Sequence, residues 1–294
     1  MTSGTIIKGI GGFYYVKTQG GIYECKAKGI FRKDSMTPLP GDNVYISILD
    51  QQKKIGYLEE ICPRKSQLMR PAVANINQIA LVVSVRSPLP DYYLMDKILI
   101  TAMRKEISAI ICINKIDLDE GNKDTIIRDY KNTGLKIIFL SSVLDIGFNG
   151  LKEVLKDKIT VFAGQSGVGK STILNRILDS KVMETGEVSS RIDRGRHTTR
   201  HAELIELQSG GLVVDTPGFS SFELEDLEPD TLQLCYPEFL DSIGKCKFVG
   251  CSHITEPECK VKHALEKGLI PDNRYNRYKE FYGELMAKQR NKYS

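Results

Sequence analysis

Eight consecutive residues, Gly164-Gln165-Ser166-Gly167-Val168-Gly169-Lys170-Ser171, fit the spacing G-x-x-x-x-G-K-[ST]. Glycines let a backbone approach an anion closely, and a loop that opens a helix aims several N–H groups and the positive helix end at phosphate oxygens. Lys170 then reaches the β- and γ-phosphates of a nucleotide, and the Ser171 hydroxyl ligates magnesium. Asn114-Lys115-Ile116-Asp117 supplies chemistry for a base. The Asp117 carboxylate can accept from both the N1–H and the exocyclic amine of guanine, whereas adenine would leave the buried charge unpaired. Asn114 can bond N7 or O6 and tie loops together, and the aliphatic stem of Lys115 can cover the base plane. Standing alone, this tetrapeptide reads as a surface turn; beside a phosphate loop it reads as a guanine site.

Two further segments suit the γ-phosphate end. Asp215-Thr216-Pro217-Gly218 is a D-x-x-G run, in which Asp215 holds magnesium through water and the Gly218 N–H contacts the γ-phosphate. Upstream, Gly195-Arg196-His197-Thr198-Thr199-Arg200 lies in polar sequence. A threonine there completes the magnesium shell only while the γ-phosphate is present, which makes the loop an order–disorder switch. Near the C-terminus, Cys246, Cys251, His253 and Cys259 offer three thiolates and an imidazole within fourteen positions. That donor set closes a tetrahedral structural zinc shell and leaves no position for a substrate.

The elements that position these residues follow from hydrophobic patterning. Thr160 to Ala163 reads as a short buried strand before the phosphate loop, and Thr172 to Leu178 as the first turns of a helix after it. Ile79 to Val85 and Ser108 to Ile113 are continuous apolar runs, as in strands buried on both faces of a parallel sheet. Lys136 to Leu140 is a third strand, ending in Ser141-Ser142, and Leu212 to Val214 leads into D-x-x-G. Helical spacing of Tyr93, Leu94, Lys97, Ile98, Leu99 and Ala102 separates the first two strands, so residues 68–227 form an α/β layer. Asn114 at the carboxyl end of such a strand stands where open α/β sheets bind ligands.

Residues 1–67 read as four or five short β-strands, with turns at Gly20-Gly21, Pro40-Gly41-Asp42 and Lys53-Lys54, suiting a small OB-like barrel. Phe13, Tyr14, Tyr15, Phe31, Arg32 and Lys33 either face nucleic acid or serve the barrel's own core. Pro63-Arg64-Lys65-Ser66 reads as a linker. Residues 228–294 read as a helical zinc-binding domain. Its last helix carries Tyr275, Tyr278, Tyr282 and Leu285 on one stripe, and Arg274, Arg277, Lys279, Lys288, Arg290 and Lys292 as a basic face that is either solvated or set against phosphates.

The whole chain has 294 residues, 41% hydrophobic and 27% charged, with net charge +4 from 41 basic and 37 acidic residues. This permits two or three domains and is compatible with a nucleic-acid partner without arguing for one. No apolar run of about 18 residues predicts a membrane span, and the N-terminus lacks the character of a secretory signal. An odd seven cysteines, four of them scattered, speak against a disulfide framework and for a reducing, cytoplasmic setting.

The order of the motifs carries a resemblance. Ordinary small GTPases run phosphate loop, switch threonine, D-x-x-G, N-K-x-D, then a Ser-Ala-type loop; here N-K-x-D and Ser141-Ser142 come first. This circularly permuted order, the barrel in front, the G-R-H-T-T run and the terminal Cys/His cluster resemble the ribosome-small-subunit-dependent GTPases, known in bacteria as RsgA, YjeQ or YloQ. The resemblance implies a GTPase that binds the small ribosomal subunit and its rRNA late in maturation, is stimulated by it and hydrolyses GTP to GDP; separately, nothing in the sequence suggests an obligate dimer, so a monomer is expected, with no membrane partner. The alternative is a nucleotide-gated RNA-binding module whose hydrolysis only times release. The resemblance assigns guanine to Asn114, Lys115, Asp117, Ser141 and Ser142, phosphates to Gly164 through Thr172 (Gly164, Gln165, Ser166, Gly167, Val168, Gly169, Lys170, Ser171 and Thr172), magnesium to Ser171, and one structural zinc to Cys246, Cys251, His253 and Cys259.

Two positions depart from pattern. Ser142 stands where alanine is common, and Arg200 stands where a third threonine usually follows, leaving Thr198 and Thr199 both open as the magnesium ligand. Phe219 occupies the position of a water-orienting glutamine and cannot orient water. His197 is then the candidate catalytic group, against a reading in which it faces solvent or RNA. The permuted order also places D-x-x-G just upstream of the C-terminal domain, so nucleotide state is expected to bias that domain's position.

Overall fold

The computed structural model describes residues 1–27, 36–178, 202–215, 224 and 227–292. Five strands open the chain: β1 (Thr2–Ile10), β2 (Phe13–Thr18), β3 (Gly21–Ala27), β4 (Asn43–Asp50) and β5 (Ile55–Ile61). They pair in the order β1-β2-β3-β5-β4 and return to β1, forming a closed barrel in which only β3 and β5 run parallel. Closure removes the open edges that a five-stranded sheet would otherwise expose. Alternation fills the interior with Ile6, Val16, Tyr23, Cys25, Val44, Ile46 and Leu58. Of the aromatics expected at a surface or in the core, Tyr14 packs on that interior and Phe13 and Tyr15 are half-buried on the outside. The Tyr15 hydroxyl donates to Glu24 Oε2 at 3.1 Å, and Lys26 Nζ lies 5.1 Å above the Phe13 ring. Phe31, Arg32 and Lys33 fall outside the described residues.

The Pro63-to-Ser66 stretch is not the plain linker its polarity suggests. Arg64 donates from Nε and a terminal nitrogen to both oxygens of Asp42, at 2.7 and 2.8 Å. Asp42 is fully buried, and a buried carboxylate demands such a partner. The Asn75 amide donates to the Gly41 carbonyl and accepts from the Lys65 N–H, both at 2.9 Å. A short hairpin, β6 (Gln67–Met69) with β7 (Ala72–Ala74), completes this joint.

The nucleotide domain follows: β8 (Gln78–Ser84), α1 (Tyr92–Arg104), β9 (Ser108–Asn114), α2 (Asn122–Tyr130), β10 (Lys136–Phe139), α3 (Phe148–Leu155), β11 (Ile159–Ala163), α4 (Lys170–Ile177), β12 (Glu203–Glu206) and β13 (Leu212–Asp215). The strands lie in the order β10-β9-β8-β11-β13-β12, all parallel except β12. Every residue of β8 is buried, as its apolar run predicts for a strand covered on both faces. One face packs against α1 and α2, the other against α3 and α4. β12 was not legible as a strand; its four residues Glu-Leu-Ile-Glu are too short to show a period. Its free edge receives β1 of the barrel at Lys8↔Glu203, so one sheet of eleven strands runs through both parts.

The C-terminal unit consists of two 3-10 turns, Pro229–Cys235 and Pro237–Phe239, then α5 (Lys260–Glu266) and α6 (Asp272–Lys292). The tyrosine stripe of α6 packs inward with Leu232, Phe239, Val261 and Phe281. The expected basic face of α6 requires correction at its first turns. Arg274 is 2% exposed and forks between Asp96 of α1 and Glu238, the latter at 2.7 and 3.2 Å. Arg277 donates to the other Asp96 oxygen at 2.5 Å and lies 3.4 Å from Asp129 of α2. Helical spacing sets these two arginines one turn apart toward carboxylates of which Asp96 and Asp129 lie 148 or more positions away in sequence, too far for local patterning to reveal. Among the described residues, no helix is long and apolar enough to cross a membrane.

Candidate nucleotide site and metal cluster

The phosphate loop connects β11, in the middle of the sheet, to α4. Two of its glycines are obligatory. A Cβ on Gly164 (φ +141°) would lie 2.1 Å from the Val82 carbonyl oxygen, and one on Gly169 (φ +98°) would lie 2.4 Å from Asn114 Nδ2. The loop therefore nests against β8 and the end of β9 at backbone distance. Lys170, first residue of α4, donates from Nζ to the carbonyls of Gly164 and Gln165 at 2.7 and 2.8 Å. Burial pushes its ammonium down to about 8. Ser171 and Thr172 follow in the first turn of the helix, while Ser166 and Gly167 are exposed at the crest of the loop.

Asn114, Lys115 and Asp117 cluster where β9 ends. Asn114 is 2% exposed and donates through Nδ2 to the Val168 carbonyl at 2.8 Å; its Oδ1 is buried with no partner. Lys115 takes a left-handed backbone (φ +59°), and its ammonium reaches the carbonyls of Gly167, at 2.9 Å, and Ser87. Two of the three residues thus clasp the phosphate loop from across the sheet. Asp117 accepts from the Ser141 hydroxyl at 2.5 Å, which fixes one carboxylate oxygen. Ser141 is itself fully buried, and its hydroxyl accepts from the Leu144 N–H at 3.1 Å. The Ser142 hydroxyl is buried with no partner, as is Gln165 Oε1. Asn114 and Ser142 follow the carboxyl ends of β9 and β10 and Gln165 that of β11, and buried polar atoms without a protein partner at that end of the sheet suit a polar ligand.

Asp215 closes β13, the strand beside the phosphate-loop strand. Gly218, His197, Thr198 and Thr199 lie outside the described residues, as does Phe219.

In the C-terminal unit the ligand atoms of Cys246, Cys251, His253 and Cys259 all lie within 4.8 Å of one another. Cys246 Sγ is 3.8 Å from Cys259 Sγ and 3.6 Å from His253 Nδ1, and the latter is 3.2 Å from Cys259 Sγ. A tetrahedral ion with sulfur at about 2.3 Å and nitrogen at about 2.0 Å has edges of roughly 3.5–3.8 Å, so the donor set fits. His253 Nε2 faces Gln233 Oε1 at 2.8 Å. That bond places the proton on Nε2 and leaves Nδ1 as the ligand. Gln233 escaped sequence reasoning because it lies thirteen positions before the cluster with no motif spacing. The His253 turn is held by Glu256, which accepts from Ser252 N and Oγ and from Ile254 N. Burial raises that carboxyl, but those bonds outweigh it and hold the group down to about 2. Tyr275 and Tyr278 of α6 donate to the carbonyls of His253 and Ser252.

A glycine-rich P-loop motif between a central strand and a helix, an Asn-Lys-x-Asp cluster at the end of a neighbouring strand, permuted motif order, a closed barrel in front and a Cys3His unit behind define a circularly permuted P-loop GTPase. Comparison with known proteins narrows this. The model of the RsgA GTPase family matches residues 61–225, and that of the RsgA N-terminal domain matches residues 3–58. The small ribosomal subunit biogenesis GTPase RsgA of Ruminiclostridium cellulolyticum is 58% identical over 97% of this chain and 94% of its own. Its namesake in Clostridium kluyveri is 48% identical over 98% and 99%. The crystal structure of YjeQ from Thermotoga maritima superposes with TM-score 0.84 at 35% identity, covering 97% of this chain and 98% of that one. YloQ, described as a circularly permuted GTPase, gives 0.81 at 38% identity, covering 98% and 96%. The chain belongs to the RsgA GTPase family, and with it to the GTP-hydrolysing enzymes.

Proposed function

We propose that this chain binds GTP with magnesium, docks on the small ribosomal subunit during its biogenesis, and hydrolyses GTP to GDP under stimulation by that subunit. The names of its relatives support the partner. The observation that carries the nucleotide is the Ser141–Asp117 contact, because it sets a fixed carboxylate at the base site while Asn114 and Lys115 hold the phosphate loop in register with it. Asn114 keeps one amide hydrogen for guanine N7 or O6, Asp117 accepts from N1–H and the exocyclic amine, and Ser142 supports the base edge. The half-buried Lys170 ammonium faces the β- and γ-phosphates, the backbone of residues 164–172 cradles them, and Ser171 holds magnesium with Asp215 and Gly218 closing the γ side. Bound magnesium supplies neutralisation of charge developing between the β- and γ-oxygens. We assign Thr198 or Thr199 to the magnesium shell and water orientation to His197. Cys246, Cys251, His253 and Cys259 hold one structural zinc that staples a unit with a small core. The protein acts as a cytoplasmic monomer.

The test is GTP hydrolysis with and without purified small subunits, for the wild type, Asp117→Ala and His197→Ala. Losing two hydrogen bonds to a charged acceptor should weaken GTP binding by about 3 kcal/mol, roughly a hundredfold, in Asp117→Ala. Stimulation lost in His197→Ala with GTP binding intact supports the catalytic assignment. A preference for ATP, or no stimulation of the wild type by subunits, overturns the reading.

A further inference from the structure

The barrel strand β1 changes partner halfway along its length. Thr2, Ser3, Gly4 and Thr5 pair with β4 and close the barrel, whereas Lys8 pairs with Glu203 of β12. Between them lies a bulge. Against β2, Ile6 faces Val16 and Lys8 faces Tyr15, so Ile7 is the extra residue. A bulge bends its strand and sharpens the twist, which is what swings β1 off the barrel wall and onto a second sheet. It also separates neighbouring side chains: Ile6 fills the barrel, while Ile7 packs into the nucleotide domain's core with Ala202, Leu204 and Val214.

β12 has β1 on one edge and β13 on the other. Glu203, the ladder partner of Lys8, is also the ladder partner of Asp215, first residue of D-x-x-G. Three adjacent strands therefore set Lys8, Glu203 and Asp215 in one lateral row. Lys8 Nζ binds Glu203 Oε2 at 2.7 Å, and at the far end of β12 Lys17 pairs with Glu206. The Lys8 and Glu203 side chains are 31% and 40% exposed, so this pair adds little to stability. Its place in the row is what matters.

We propose that Glu203 is a positioning residue for GTP hydrolysis: clamped by Lys8, it passes displacement of the barrel to the Asp215 end of β13. The inference rests on the subunit-stimulated reading above and names the route by which a load on the barrel resets D-x-x-G. The same row runs in the other direction, so nucleotide state is expected to bias the β1–β12 seam as well.

The test uses the full chain with Lys8→Glu, Glu203→Lys and the double swap. Each single variant should lower subunit-stimulated kcat about tenfold, with KM for GTP and the midpoint of subunit titration held, and the swap should restore it. Unchanged stimulated kcat in both singles, or a swap as poor as they are, overturns the proposal. Because Lys8→Glu also removes a cation from the barrel, a loss seen only as a higher titration midpoint overturns it too and assigns Lys8 to subunit contact. A second measurement needs no subunit: amide hydrogen exchange of residues 6–8 and 203–206 with GDP and with a non-hydrolysable GTP analogue. Exchange should differ about threefold between the two states in the wild type, and the difference should vanish in Glu203→Lys. Equal exchange in both states overturns the proposal whatever the subunit does. A difference in exchange without stimulation by subunits supports it and sinks the subunit reading instead.

Discussion

Arg274 and Lys8 each carry a positive charge across a seam with the nucleotide domain, under opposite conditions. Arg274 is 2% exposed, lies between Asp96 and Glu238, and has Tyr236 and Tyr130 ring centroids 4.5 and 5.1 Å from its guanidinium carbon. Asp96 accepts from Arg274, from Arg277 and from the Tyr130 hydroxyl, so one buried carboxylate collects donors from α2 and α6. Lys8 faces Glu203 at the surface, beside a backbone ladder that extends the sheet. Removing one partner of a buried pair strands the others at about 3–5 kcal/mol, whereas an exposed pair contributes roughly 0–1 kcal/mol. The C-terminal unit is thus fastened by side-chain charge that tolerates no partial separation. At the β1–β12 seam the barrel is joined by a ladder and an apolar contact that can flex without stranding an ion, while Arg64 on the buried Asp42 and Asn75 on Gly41 hold its other joint. Moving the C-terminal unit with nucleotide state would have to break the Asp96 cluster; tilting β1 against β12 breaks no buried ion pair at that seam.

The strongest challenge to this contrast is removal of the zinc proposed for the Cys246, Cys251, His253 and Cys259 cluster. Cys259→Ser, or chelation of the native protein, should release stabilisation on the order of 10 kcal/mol from the C-terminal unit. Limited proteolysis should then cut within residues 228–292 while the barrel and sheet stay resistant. Next comes Asp96→Ala, expected to cost about 3–5 kcal/mol in urea unfolding. Gln233→Ala should weaken zinc binding roughly 10–100-fold, read by competition with a chromophoric chelator, since it frees the His253 ring from its fixed tautomer. The smallest effect is expected at the barrel seam: Lys17→Ala should cost less than about 1 kcal/mol, and less still at high salt. A loss of about 3 kcal/mol there would erase the distinction between the seams.

Much of the nucleotide site was legible because its chemistry is local. The loop's glycines and Lys170 fall within eight consecutive residues, and Asn114, Lys115 and Asp117 fall within four at the end of β9, although the contacts that demand Gly164 and Gly169, with Val82 and the Asn114 side chain, come from other strands. The Cys/His cluster likewise falls within one short segment. Arg274 and Arg277 were misread because a charged residue on a helix looks the same in sequence whether it meets water or a buried carboxylate. Arg64 was taken for part of a linker for the same reason, its partner Asp42 lying twenty-two positions upstream. Glu203 to Glu206 showed no period because a four-residue strand holds only two alternations.

By itself, then, the sequence determined the chemical inventory: a P-loop motif, an Asn-Lys-x-Asp tetrapeptide, a set of three cysteines and a histidine, and the order in which they occur. These depend on residue type and short spacing, which the chain carries covalently. Tertiary structure alone decided which carboxylate each arginine neutralises, that Gln233 holds the histidine, and that Lys8, Glu203 and Asp215 share a row. Those pairings join residues far apart in the chain. They exist only once burial removes water as the competing partner and makes each remaining charge or donor select the one group within reach.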